Sequence, residues 1–92
     1  MSMQHKEIRS KVRQYPYPAK VADALGVHHS TVYRACEGMD IALIRDAYEA
    51  DIPLREIVET LAYLPVTVVA TKLGISKQYV YEIISDGEAV YA

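Results

Sequence analysis

The chain has no tryptophan and no phenylalanine among its 92 residues, and a single cysteine. Cys36 has no second cysteine to pair with, so the fold must rest on burial and backbone hydrogen bonding, as suits a reducing compartment. No apolar run approaches the roughly 20 residues that span a bilayer. The opening stretch MSMQHKEIRSK lacks the apolar segment of a signal peptide. The expectation is a cytoplasmic protein without membrane contact. Also missing are a glycine-rich phosphate loop, a nucleophile elbow and any metal-ligand spacing, so no catalytic role, metal or cofactor is expected. His28 and His29 could suggest a metal site with Cys36. Adjacent histidines leave a helix on different sides, however, and Cys36 reads better as a small buried apolar group.

What the chain does have is apolar substance and tyrosine. Half of the residues are hydrophobic, and all eight aromatic side chains are tyrosine. That is enough to fill the core of one small domain, or of two very small ones sharing it. The formal net charge of −2 hides a segregation. Residues 1–38 carry Lys6, Arg9, Lys11, Arg13, Lys20 and Arg34 against Glu7, Asp23 and Glu37. Residues 39–65 carry Asp40, Asp46, Glu49, Asp51, Glu56 and Glu59 against Arg45 and Arg55. A polyanion is drawn to the first third and repelled by the middle.

The spacing predicts an all-α fold of seven short helices. Ile8, Val12 and Tyr15 recur at helical intervals, and Pro16 and Pro18 end that run. A second helix is expected over about 19–25 and a third over 29–37, ended by Gly26 and Gly38 respectively. Asp40 is placed to cap the fourth. The fifth runs through DIPLREIVETLAYL, with Asp51 or Ile52 as its cap and Pro53 at an early helical position, until Pro65 breaks it and opens the sixth. Ser76 caps the seventh over 77–85, with Asp86–Gly87 closing it. The organisation read from this is an N-terminal unit over 1–38, acidic connecting helices over 39–65 and a second unit over 66–92.

One pattern occurs twice. In AKVADALGVHHSTVYRAC, Ala22 is small enough for a second helix to cross the first. Leu25, Gly26 and Val27 form the turn, and Val32 faces inward. VVATKLGISKQYVYEII repeats this with Ala70, Leu73, Gly74, Ile75 and Val80, each 48 positions after its counterpart. The glycine is needed where the backbone enters the left-handed region. Two copies in register argue for a duplicated unit.

LGVHHSTVYR and LGISKQYVYE resemble the helix-turn-helix core of phage and bacterial regulators, Cro- or repressor-like, and of recombinase DNA-binding domains. The resemblance covers about residues 18–38 and 66–86. It implies a double-stranded DNA-binding transcriptional regulator in a prokaryotic or phage-infected cell, whose second helix in each unit lies in the major groove. Carried onto this chain, the base-facing residues are His29, Ser30, Thr31, Tyr33 and Arg34, then Lys77, Gln78, Tyr79 and Tyr81. His28 stands where serine or threonine usually caps, and Glu82 stands opposite Arg34.

Other uses of these residues are open. Arg34 suits a guanine edge or a phosphate, or a solvated helix face. Ser30 and Thr31 can satisfy free helix amides instead of DNA. Tyr33 and Tyr81 can stack on the sugar-phosphate chain or plug the space between helices. Lys6, Arg9, Arg13 and Lys20 would flank the groove and hold the backbone. The first unit is expected to read DNA, and the second to read an adjacent segment or to serve in packing or homodimer contact. Two alternatives remain: a helical protein-protein adaptor with a degenerate helix-turn-helix, and an excisionase-like recombination accessory factor. No small-molecule ligand is evident.

Overall fold

A computed structural model describes the backbone of residues 4–91 and the side chains of residues 4–85. It contains seven helices: α1 (His5–Gln14), α2 (Pro18–Leu25), α3 (His29–Ala35), α4 (Ile41–Glu49), α5 (Leu54–Thr60), α6 (Val66–Leu73) and α7 (Lys77–Tyr91). No strand occurs among the described residues, so the class is all-α. None of these helices is long and apolar enough to cross a membrane.

The helices bury their apolar stripes into two adjoining cores. Ile8 and Val12 of α1, Val21 and Ala22 of α2, and Val32, Ala35 and Cys36 at α3 form the first. Ile44, Ala47, Ile57, Val58, Leu61, Val69, Ala70, Leu73 and Val80 form the second, drawn from α4 through α7. Met39, in the link after α3, packs against both. The halves are alike in more than their turns. α1 lies on α3, and α5 lies on α7. Ile8 and Val12 have counterparts in Ile57 and Leu61, 49 positions on, while Val21, Ala22 and Val32 have theirs in Val69, Ala70 and Val80, 48 positions on. The connection between the first two helices of the second half is therefore shorter by one residue.

Further contacts tie the halves together. The Asp40 amide donates to the Lys72 carbonyl at 2.9 Å. Arg13 Nη1 donates to the Gly74 carbonyl at 3.2 Å. The Tyr17 hydroxyl donates to Glu49 Oε1 at 2.8 Å, while the rings of Tyr15, Tyr17 and Tyr48 meet at tilted and edge-on angles. The bond to Glu49 chiefly, helped by desolvation and the nearby negative charge, pushes the Tyr17 phenol above its ordinary value.

The two glycine turns have the same form. Gly26 (φ 70°, ψ 29°) and Gly74 (φ 67°, ψ 32°) both sit in the left-handed region. In each, the amide of the next residue reaches back five positions: Val27 to the Ala22 carbonyl at 3.1 Å and Ile75 to the Ala70 carbonyl at 3.0 Å. This closing bond satisfies one of the carbonyls that a helix end leaves open. A third junction follows the same plan without glycine. Asp51 takes φ 57° after α4, and the Ile52 amide donates to the Ala47 carbonyl at 2.8 Å. Aspartate tolerates that region better than most residues do.

Four local expectations are corrected. α3 stops at Ala35 and not at Glu37, because the chain tightens: the Glu37 amide turns to the Arg34 carbonyl and the Met39 amide to that of Cys36. α5 stops at Thr60, short of Leu64. There the Ala62 and Leu64 amides bond only three residues back, which lets the backbone turn out of helix before Pro65. Pro53 itself is the cap residue of α5; Asp51 belongs to the preceding turn. α7 runs on through Gly87 to Tyr91, since a glycine inside a helix costs only about 1 kcal/mol and is no obligatory stop.

Candidate nucleic-acid interface

The third helix is anchored from beneath by Val32 and Ala35, both buried. That leaves Ser30, Tyr33, Arg34 and Glu37 outward at intervals of three and four. Tyr33 is 57% exposed and its counterpart Tyr81 56%, so neither ring is a plug between helices. Tyr33 and Arg34 make no side-chain hydrogen bond or ion pair with any described residue.

The start of α3 is largely satisfied from within. His28 caps it after all, with Nδ1 accepting from the Ser30 amide at 3.1 Å and lying 2.7 Å from Ser30 Oγ. The Thr31 amide goes to the His28 carbonyl, and Thr31 is half-buried. His29 Nε2 lies 2.9 Å from the Asp23 carboxylate. Among the base-facing residues expected in this copy, His29 and Ser30 therefore have partners inside the protein, while Tyr33 and Arg34 face outward without any.

The second copy is built differently at the same place. Thr71 stands where Asp23 does, and Lys77 where His29 does. Ser76 Oγ accepts from the Tyr79 amide at 3.0 Å, and Val80 begins the regular bonding by donating to the Ser76 carbonyl. Lys77, Gln78, Tyr79 and Tyr81 are all exposed. Glu82 is exposed one step further along.

Three of the cations of α1 converge toward the second half, although Arg9 also reaches the end of α3. Lys6, Arg9 and Arg13 line a groove of about 740 Å³ whose other wall is the end of α6, the Gly74 turn and the start of α7. Lys77, Ser76, Tyr79, Thr67 and Thr71 lie along that wall, and Glu37 is the one acid in the lining among the described residues. Arg9 Nη1 donates to the Ala35 carbonyl at 3.4 Å, and Arg13 Nη1 to that of Gly74. Both guanidinium groups are thus oriented by neutral oxygens, which leaves their charge uncompensated. The ion pairs among the described residues, His29–Asp23 and Lys72–Asp40, include none of the four cations in the groove. Lys20 lies elsewhere, with its ammonium 5.8 Å from the centre of the Tyr17 ring. Sequence reasoning named the cations but not where they converge. The signal was available in Thr71 and Lys77, which break the likeness of the two copies.

Cys36 is buried beneath α3, and that burial pushes its thiol up, with Arg9 nearby pulling the other way. No group of three or more histidine, cysteine or acidic side chains is placed to hold a metal among the described residues. Comparison with protein-family models, curated proteins and solved structures gave no match.

Proposed function

We propose that the protein binds double-stranded DNA and acts as a transcriptional regulator of prokaryotic or phage type, with α3 entering the major groove. The observation that carries this reading is the outer face of α3. Arg34 and Tyr33 stand clear of the protein on a short helix held rigidly by Val32 and Ala35 below and by the Gly26 turn in front. Arginine in that position has five donors for a guanine edge or a phosphate. Tyrosine beside it offers a ring and a hydroxyl to the sugar-phosphate chain. Of the acids of 39–65, Asp46, Glu49, Glu56 and Glu59 lie on α4 and α5, which pack in the second core, Asp40 and Asp51 lie just before and after α4, and none bonds to α3. His29 is a poor base reader in this setting, since it is engaged by Asp23.

The test is a fluorescence-anisotropy titration of labelled duplex, first of random sequence at low salt and then of sequence enriched by selection on the protein. The expected result is salt-dependent binding that strengthens on the selected sequence, and that Arg34→Ala weakens by about tenfold or more, the loss of one good contact of about 1–3 kcal/mol. Absence of binding to either duplex at low salt would overturn the reading in favour of a protein-protein adaptor on the same scaffold.

A further inference from the structure

We propose that the groove between α1 and the start of α7 is a phosphate-binding site that takes the backbone of a nucleic-acid strand, so that the two halves grip DNA jointly and not as separate modules. This rests on the DNA reading for its ligand, but its evidence comes from different residues. Lys6, Arg9 and Arg13 come from the first half and Lys77 from the second, and they face one cavity of about 740 Å³ with Glu37 as the only acid among the described residues. A concentration of positive charge in one cleft of a protein with net charge −2 is a focused field, not a general attraction.

Three features make the cleft specific for phosphate oxygens. The arginines are held by the Ala35 and Gly74 carbonyls, so each has donors left over in a fixed direction. The 15-residue helix α7 begins at the cleft with Lys77, and the Lys77 and Gln78 amides at its start have no backbone acceptor among the described residues. Ser10, Thr67 and Tyr79 add neutral hydroxyls around the same space, whereas the Thr71 hydroxyl is spent on the Thr67 carbonyl. The repeat gives an internal contrast. At the equivalent point of the first half, Asp23 places a carboxylate against His29, and His28 Nδ1 accepts from the Ser30 amide. The first half thus has a carboxylate and one more satisfied amide at its helix start, whereas the second has Thr71 and Lys77 in the places of Asp23 and His29 and caps only the Tyr79 amide, through Ser76 Oγ. Glu82 does not line the cleft.

Two measurements on the full chain test this. The first is the salt dependence of duplex binding for the wild type, Lys77→Gln and Arg13→Gln. Each phosphate contact contributes about 0.9 to the slope of log K against log salt, so Lys77→Gln should lower it by about 1 and the double variant by about 2. Arg13→Gln also removes the tie to Gly74, so Lys77→Gln, whose side chain makes no contact of this kind, is the deciding variant. The second is an NMR titration with inorganic phosphate. It should shift the Lys77 and Gln78 amides saturably and leave those of Ser30 and Thr31 in place. Duplex binding with an unchanged slope in Lys77→Gln overturns the strand site while the DNA reading stands. Phosphate shifts at Lys77 and Gln78 without any duplex binding uphold an anion site for a free phosphate compound and overturn the DNA reading. Unmoved Lys77 and Gln78 amides together with an unchanged slope overturn the site altogether.

Discussion

At the scale of single residues, the least expected side chains are those that substitute for a more common choice. His28 does the work of a capping serine through Nδ1, and Asp51 does that of a turn glycine. Neither substitution breaks the pattern, because the requirement is an acceptor in one case and a tolerated left-handed backbone in the other. Cys36 is the opposite kind of residue, chosen for its size. It is 5% exposed, and its thiol is pushed up by loss of water. The folded protein therefore disfavours the thiolate. The contribution of Cys36 to stability is whole below the ordinary thiol value and is lost as pH rises from there through the raised folded value. Alkylation by iodoacetamide at mildly alkaline pH should be much slower than for a free thiol and should reach the free rate in denaturant. A free-thiol rate in the native protein would show Cys36 to be accessible.

At the scale of elements, much was legible because periodicity and punctuation agree. All seven helices could be read from apolar spacing together with Pro16, Pro18, Pro53, Pro65, Gly26 and Gly74. Their ends were legible where a residue forces the backbone and illegible where it only permits a choice. Gly74 ends α6, but Gly87 does not end α7. The two turn glycines make the point quantitative. At Gly26 an added methyl group would meet nothing within 4 Å, so alanine there suffers only the left-handed backbone, about 1–2 kcal/mol. At Gly74 the same methyl would lie 2.7 Å from Met39 Cε and Sδ. Met39 is flexible but already serves two cores, so Gly74→Ala should destabilise more than Gly26→Ala. Urea denaturation of the two variants measures this, and equal losses would show that Met39 moves aside without penalty. For the candidate site, the exposed face of α3 could be read from its spacing. The meeting of Arg9 and Arg13 with Lys77 could not, because residues more than sixty positions apart are brought together only by packing.

At the scale of the whole molecule, the extents of 46 × 26 × 19 Å describe an elongated body made of two similar three-helix groups, with α4 added to the second. The segregated charge takes on meaning only here. The basic first third supplies one wall of the cleft and the second half supplies the other. Most of the acidic middle is spent on α4 and α5, whose apolar sides lie in the second core. A tally of charge by thirds shows that the front is basic, but not that three of its cations face the start of α7.

Met39 carries one last consequence. A thioether wedged between two hydrophobic interiors, followed at once by the Asp40–Lys72 backbone bond, works as a clutch. Heating should therefore produce one calorimetric peak, whose van't Hoff and calorimetric enthalpies coincide. Converting that sulfur to its sulfoxide places a polar oxygen in the joint, and the trace should then split or broaden into two events, one for each half. A single sharp peak from the oxidised protein would mean that the halves are coupled by other contacts.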